Sequence, residues 1–244
     1  KSKIITKEQL QLHRRIKQLF NDSRGGLGSR QLAKKLVSEG ICASRTKVRN
    51  IMKVHSLKVI QRIAYKVTTK RKHSDSVASN LVNMQFNPSH SNQVWAGDVT
   101  YLRTREGWCY LAIVMDLYSR KIIGWHISNR MTTGLVLKAM QMAINLRQPP
   151  EGLIFHSDRG SQYTSRRFSQ LLKDNSIKAS MSGKGACWDN AVVERFFGSL
   201  KHEWLIKVIH LTREAMKIDV QKYIYYYSHE RLHATLGDIT PVAY

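Results

Sequence analysis

Residues 94–128 read VWAGDVTYLRTREGWCYLAIVMDLYSRKIIGWHIS, and this stretch decides the fold. Its opening, through Thr104, alternates apolar and polar side chains, the period-two signature of a strand with one buried face. Arg105-Glu106-Gly107 turns the chain into a nearly continuous apolar run, and Tyr118 to Lys121 turns it again into Ile122–Ser128. Three consecutive strands with short turns predict an antiparallel meander. One residue breaks the pattern. Asp98 stands in the first strand beside Val99 and close to Trp95. A carboxylate inside a core-like strand is costly unless it is paired or bound to a cation.

Downstream, Thr132 to Arg147 carries Leu135, Ala139, Met142 and Ala143 on one side and stops at Pro149-Pro150, which predicts a helix. LIFHSD (153–158) reads as a short buried strand, Ser165 to Asn175 as a helix and IKAS (177–180) as another strand. The loop SGKGACW (182–188) then precedes a long helix from about Asn190 to Val208, and Thr212 to Tyr227 forms a last one. The order β-β-β-α-β-α-β-α predicts an α/β domain with a mixed sheet flanked by helices. Asp158 falls at the carboxyl end of its strand, the edge where open α/β sheets bind ligands. Glu194 lies in the first turns of the long helix, with 35 residues between it and Asp158. Three clustered carboxylates repel one another and need protonation or a cation. Hard divalent ions such as Mg²⁺ or Mn²⁺ take oxygen ligands and complete their shells with water and substrate phosphate. Taken singly, each acid has an ordinary reading as a surface, loop or helix residue; the joint pattern selects the metal site.

Other residues divide between two readings. Asp116 in DLYSR reads as a turn acid, and Asp189 as the cap of the long helix. His156 and Gln162 fit either substrate contact or a packed role. Trp188 fits either stacking on a frayed base or core packing. Phe196, Phe197, Leu200 and Trp204 face the core by helical spacing.

Upstream, three helices are predicted. Thr6 and Gln9 make a capping box ahead of Leu10, Ile16, Leu19 and Phe20, and Arg24 to Gly28 breaks that helix. Ser29 caps a second helix with Leu32, Ala33, Leu36 and Val37 inward, ended by Gly40. Ser44 caps a third, whose Val48, Ile51 and Met52 face inward and leave Arg45, Thr46, Lys47, Arg49, Asn50 and Lys53 outward. That is the helix-turn-helix arrangement, with the third helix able to enter the major groove of DNA. Residues 61–92 are polar and basic and read as a linker, with an apolar patch of Leu81, Val82, Met84 and Phe86 docking on a neighbouring domain. The chain thus divides into a helix-turn-helix domain (1–60), a linker (61–92) and a core (93–244).

Charge supports a polyanionic partner. The 244 residues hold 40 Lys and Arg against 17 Asp and Glu, a net charge of +23. Residues 1–90 contain 20 of the basic residues and only 4 acids, so the surplus is concentrated there. Nucleic acid is the simplest such partner. Cys42, Cys109 and Cys187 lie far apart with no CxxC, which reads as reduced thiols in a cytosol. No apolar run approaches the roughly 20 residues of a membrane span, and no signal-peptide core opens the chain.

Five segments now point to one family: WAGDVTYL, YLAIVMDLYSRKIIGWHIS, HSDRGSQYTS, SGKGACWDNAVVERFFGSLKHE and YYSHERLHATLGDITPVAY. Together they resemble bacterial insertion-sequence transposases of the second-reading-frame (OrfB) type in the IS-three family, within the DDE or retroviral-integrase superfamily. The resemblance implies a ribonuclease-H-like mixed five-stranded sheet flanked by helices, preceded by the small all-α domain. It implies catalytic, metal-binding acids at Asp98, Asp158 and Glu194 holding two Mg²⁺ (or Mn²⁺) ions about 4 Å apart. It also implies a basic residue at Lys201, two helical turns past Glu194 and on the same face. Arg159 and Lys184 join Lys201 as basic candidates for gripping DNA. Three positions depart from the family: Arg159 replaces the commoner Gln, Arg195 the common Ser, and Gly97 the usual Thr.

The implied function is cleavage at the element's ends and strand transfer to target DNA. The implied partners are double-stranded DNA (element ends and target) and further copies of the chain, as a homodimer or larger assembly on DNA. An upstream-frame segment with a helix-turn-helix and leucine zipper is a further expected partner, which would make this chain a fragment or one of two products. The expected location is the bacterial cytoplasm, associated with the nucleoid, with no membrane partner. A ribonuclease-H-like nuclease that cuts without joining, or a DNA-binding regulator with an inactive core, are the alternatives. One motif points elsewhere: His229-Glu-Arg-Leu-His233 fits the HExxH zinc pattern. Zinc hydrolases need a third ligand, and the eleven residues after His233 include no His or Glu.

Overall fold

The computed structural model describes residues 6–59, 78–83, 85–183 and 190–244. It divides into two compact units, Lys1–Lys66 with Gly198–Val208, and Val67–Phe197 with Ile209–Tyr244.

The first unit contains α1 (Lys7–Asp22), α2 (Ser29–Ser38) and α3 (Arg45–Val54). Thr6 and Gln9 form the capping box of α1, and the Ser44 hydroxyl accepts from Lys47 N at 3.2 Å to cap α3. The start of α2 differs from expectation: Gly28 is the N-cap residue and Ser29 the first helical one, with no side-chain cap bond. The core joins Leu12, Ile16, Leu19 and Phe20 to Leu32, Leu36, Val48, Ile51 and Met52. Leu10 and Val37, expected inward, are exposed. Each residue advances about 100° around a helix. The α1 stripe is therefore set by Leu12, and Val37 turns off the stripe that Leu36 ends.

The segment following α6 (Ala191–Ser199) also differs from the single long helix expected. It widens into a π-helical turn, Leu200–Leu205, a rare geometry in which backbone bonds run i→i+5. Within the first unit this turn meets the loop between α1 and α2. Arg24 Nη1 donates to Trp204 O at 3.1 Å, its guanidinium lies 4.3 Å over the Trp204 ring, and Lys207 Nζ donates to Arg24 O.

The second unit is built on β1 (Val94–Thr104), β2 (Gly107–Asp116), β3 (Ile122–Ser128), β4 (Ile154–Ser157) and β5 (Lys178–Met181), in the order β3-β2-β1-β4-β5. β1, β2 and β3 form the expected antiparallel meander, while β1–β4 and β4–β5 are parallel. The sheet is therefore mixed. It is accompanied by α4 (Thr133–Arg147), α5 (Arg166–Asp174), α6 and α7 (Arg213–His229). A core of Trp95, Val114, Ile123, Leu135, Met140, Phe155 and Phe168 lies among sheet, α4 and α5. Met142, expected inward, is exposed; Met140 fills that role. α4 approaches β3 so closely that a Cβ on Gly124 would collide with the Ala139 carbonyl and Ala143.

Part of the expected linker packs on the sheet. Leu81 N donates to Ser180 Oγ at 2.9 Å, Met181 N donates to Ser79 O, and Val82 is buried. Leu81 itself is exposed, and residues 61–77 and Met84 lie outside the described residues. Cys42 and Cys109 are free thiols; Cys187 is not among the described residues. Among the described residues, no helix is long and apolar enough to cross a membrane.

Candidate active site

Parallel pairing of β1 with β4 sets Trp95 opposite Phe155 and Ala96 opposite His156. Asp98 comes two residues after Ala96, and Asp158 two residues after His156. The pairing ends there: Asp98 continues within β1, and Asp158 is the first residue beyond β4. Each has one oxygen oriented by a nearby backbone N–H. Val99 N donates to Asp98 Oδ1 at 2.7 Å, and Gly160 N donates to Asp158 Oδ1 at 2.9 Å as the chain leaves the sheet.

The helix carrying the third acid is tied to the same strand. Asn190 is buried and its Nδ2 donates to the carbonyl of Gly97, the residue before Asp98, at 3.3 Å. Glu194 follows Asn190 by four residues, one helical turn, and so shares its face. Partial burial pushes the Glu194 carboxyl above its usual pKa. Among the described residues, however, no group of three or more His, Cys, Asp or Glu side chains converges closely enough to hold a metal ion. The two aspartates follow paired residues of neighbouring strands, and the glutamate's helix is anchored to the first of those strands, without the three acids closing into one cage.

Tyr163 lies in the core and feels the charge of both aspartates. It is almost fully buried, with ring centroids 5.9 Å from Phe155 and 5.3 Å from Phe168. Burial drives the phenol pKa well upward, and the negative charges of Asp98 and Asp158 drive it further. Gly97 belongs to the same packing: a Cβ there would lie 2.6 Å from Phe155 Cζ. Sequence reading missed Asn190 and Tyr163. Asn190 carried a signal, an amide one turn before the glutamate, whereas Tyr163 looked like one more core ring.

The remaining candidates distribute unevenly. Arg159 is exposed and its Nε donates to Ser182 O at 2.7 Å, so it braces the end of β5. Lys184, Trp188 and Asp189 lie outside the described residues. Lys201 lies in the π-helical turn that follows α6. Arg45, Thr46, Lys47, Arg49, Asn50 and Lys53 are all exposed on α3. His156 is fully buried with Nδ1 2.9 Å from Ser180 Oγ, and buried Gln162 donates to Met131 O. Asp116 is fully buried and accepts from Ser91 Oγ at 2.7 Å and Tyr118 N at 3.1 Å, which makes it the turn acid. The HExxH pattern does not form a helical pair, because α7 ends at His229, which stacks on Tyr225, while His233 bonds backbone to backbone with Ile239.

Comparison with known proteins agrees with this layout. An integrase core domain family matches residues 88–187, a second integrase core domain family matches 175–241, and an HTH-like domain family matches 7–65. The transposase InsF for insertion sequence IS3A of Escherichia coli (strain K12) is 38% identical over 99% of this chain and 85% of its own. This chain belongs to the insertion-sequence transposase family. An insertion element IS600 protein of Shigella sonnei, described as uncharacterized, is 39% identical over 97% of the transposase chain and 87% of its own. The HTLV-2 integrase catalytic core domain, solved in complex with magnesium, superposes with a TM-score of 0.50 at 21% identity, covering 62% of this chain and 94% of that one. That last likeness establishes the ribonuclease-H-like core. In this transposase the first integrase match spans Asp98 and Asp158, the second spans Glu194, and the HTH-like match spans α1 to α3. The activity class is DNA transposition.

Proposed function

We propose that this transposase cuts DNA at the ends of an insertion element and joins the freed ends to target DNA, using Asp98, Asp158 and Glu194 around divalent cations. The observation that carries the reading is that Asp98 and Asp158 each follow, by two residues, the paired Ala96 and His156 of neighbouring parallel strands, with Asp158 at the carboxyl end of β4. The donor set fits the group. All three side chains offer carboxylate oxygens, as Mg²⁺ and Mn²⁺ prefer, and Mg²⁺ is commonly held by one or two carboxylates with water and substrate phosphate rather than by an all-protein cage. An aspartate pair carried by neighbouring strands therefore meets the need before Glu194 is added. Two such ions, when bound, supply Lewis-acid polarisation of the phosphoryl group and activation of a water or 3′-hydroxyl.

The protein's own residues do the rest. The N–H groups of Val99 and Gly160 fix one oxygen of each aspartate, so the free-energy cost of orienting the acids is met in folding. Asn190 anchors the glutamate's helix on the strand of Asp98. Arg159, Lys184 and Lys201 hold phosphates of the reacting strands. Arg45, Thr46, Lys47, Arg49, Asn50 and Lys53 place α3 in the major groove of the element's ends. The corresponding domains are 1–60 for end binding and 93–244 for chemistry, joined by 61–92. No covalent protein nucleophile is needed. Joining two ends calls for at least two copies on DNA, with the upstream-frame segment as a further partner, in the bacterial cytoplasm at the nucleoid.

The test is incubation of the full chain with terminal-repeat DNA and Mg²⁺ or Mn²⁺. Joined products that vanish in Asp158→Asn are the expected result. Metal-dependent cutting without joining would instead identify a ribonuclease-H-like nuclease, and joining that survives in Asp158→Asn would reject the assignment of the acids.

A further inference from the structure

We propose that the outer face of the β1–β2 hairpin, built from Tyr101, Arg103 and Trp108, is a stacking platform for an unpaired DNA strand. This rests on the reading of the chain as a strand-cutting and strand-joining enzyme, whose substrates expose unpaired nucleotides. The hairpin register sets Arg103 opposite Trp108 and Tyr101 opposite Tyr110. Side chains alternate along a strand, so Tyr101, Arg103 and Trp108 share one face. Tyr101 and Trp108 are 48% and 41% exposed, unusual for rings whose contribution normally comes from burial. They form a diagonal pair with centroids 5.3 Å apart at 86°, and the Arg103 guanidinium lies 5.2 Å over the Trp108 ring.

The hairpin tip beneath this face is held rigidly. Arg213, the first residue of α7, donates through Nη2 to Glu106 O at 2.6 Å and through Nε to Trp108 O at 3.4 Å. Its backbone N donates to Glu106 Oε2 at 2.8 Å. Glu106 is thereby turned to the positive N-terminal end of α7, away from the rings. Gly107, at φ +114°, keeps the turn narrow enough for Arg213, since a Cβ there would lie 2.9 Å from its Nη2. Tyr110, opposite Tyr101 on this face, is half-buried, and the exposed groups beside it are two aromatic rings and a guanidinium. Rings stack on base faces and guanidinium pairs with phosphate, a combination tolerant of sequence. A duplex hides its base faces, so the platform favours an unpaired strand. Tyr101 lies three residues along β1 from Asp98, about 10 Å at strand rise and on the opposite face of the strand, so the platform is a binding surface separate from the acids.

The experiment measures fluorescence anisotropy of labelled single-stranded oligothymidine and of a terminal-repeat duplex with the full chain, in the Asp158→Asn background and without divalent metal. Trp108→Ala and Tyr101→Ala should each weaken single-strand binding about five- to a hundredfold, while duplex affinity stays within about twofold and Trp108→Phe retains most of the binding. Unchanged single-strand affinity in a Trp108→Ala protein whose thermal midpoint matches the parent overturns the proposal. So does equal loss on duplex, and so does a change in sedimenting mass without a change in affinity, which would mark a protein interface. Because this assay requires no joining, its failure leaves the catalytic reading intact, and loss of the catalytic reading leaves the binding result intact.

Discussion

The three-helix unit and the sheet unit handle charge in opposite ways. From Arg45 to Lys53 the basic side chains of α3 stand in solvent, on a helix whose other side is packed through Val48, Ile51 and Met52. In the sheet unit the acids belong to the fold itself: Asp116 is fully buried, Asp98 lies within β1, and Asp158 stands where β4 ends. An outward cation is replaceable with little effect on folding, and its partner is screened by salt. An acid at or inside a sheet couples chemistry to packing. Substitutions in the sheet unit should therefore be large and divided between activity and stability, and those of the basic residues on α3 small and confined to binding.

The largest effect is expected at the sheet edge. Asp158→Asn removes the charge of a proposed metal ligand without changing shape, and metal-ion catalysis is worth several kcal/mol, so joining should fall about a thousandfold or more. Filter binding to terminal DNA should be unchanged. Asp116→Ala sharpens the contrast between the two kinds of acid. It orphans Ser91 Oγ and Tyr118 N and leaves Arg147, 3.8 Å from the carboxylate, without its partner. Breaking a buried pair costs about 3–5 kcal/mol, which in a chain of this size lowers the melting midpoint on the order of 10 °C. Joining measured below that midpoint should persist. An Asp116→Ala protein that melts normally but cannot join would erase the distinction.

Gly97→Thr comes next. Threonine at this position would place a Cβ against Phe155, which packs on Tyr163. Overpacking of this kind costs about 1–3 kcal/mol, readable by urea denaturation, and a joining defect larger than the stability loss would show Tyr163 acting on the acids. Smaller again is Lys47→Ala on α3. It should weaken binding about equally for all sequences and lower the salt slope of log K by about 1. A change in sequence preference would show instead that Lys47 reads bases.

Much of this was legible in local pattern. Alternation in residues 94–104 predicts β1, the Thr6–Gln9 and Ser44 caps predict two helix starts, and the candidate acids stand out as a charge inside a core-like strand (Asp98), at a strand's carboxyl end (Asp158) and in the first turns of a helix (Glu194). What could not be read depends on register and distant neighbours. That Gly97 is glycine because the Phe155 ring lies over it follows only from the β1–β4 pairing. The partnership of Asn190 with the Gly97 carbonyl spans 93 residues. The π-helical turn at Leu200–Leu205, in the unit where Arg24 meets Trp204, has no signature in apolar spacing. Leu10 and Val37 were misplaced for a related reason: both are apolar, and only the packed stripe determines which neighbour is buried.

The smallest effect tests the helical unit's own acid. Glu39 accepts from Arg15 Nε at 2.7 Å and Nη2 at 2.6 Å, a two-pronged pair between the end of α2 and α1. The Arg15 hydrogen bonds hold the Glu39 carboxyl below its ordinary pKa. A carboxylate whose folded-state pKa is depressed adds stability that is fully present above its unfolded pKa and is lost as pH falls through the folded value. Its contribution should thus be complete at neutral pH and disappear only in acid, below the usual glutamate range. Because both side chains are partly solvent-exposed, the contribution is at most about 1 kcal/mol. Glu39→Gln should lower the stability of the three-helix unit by that amount at pH 7 and by nothing in strong acid, measured by chemical denaturation at both. An equal loss at both pH values would mean that the glutamate acts through packing, and that charge in this unit, as in the sheet, is part of the fold.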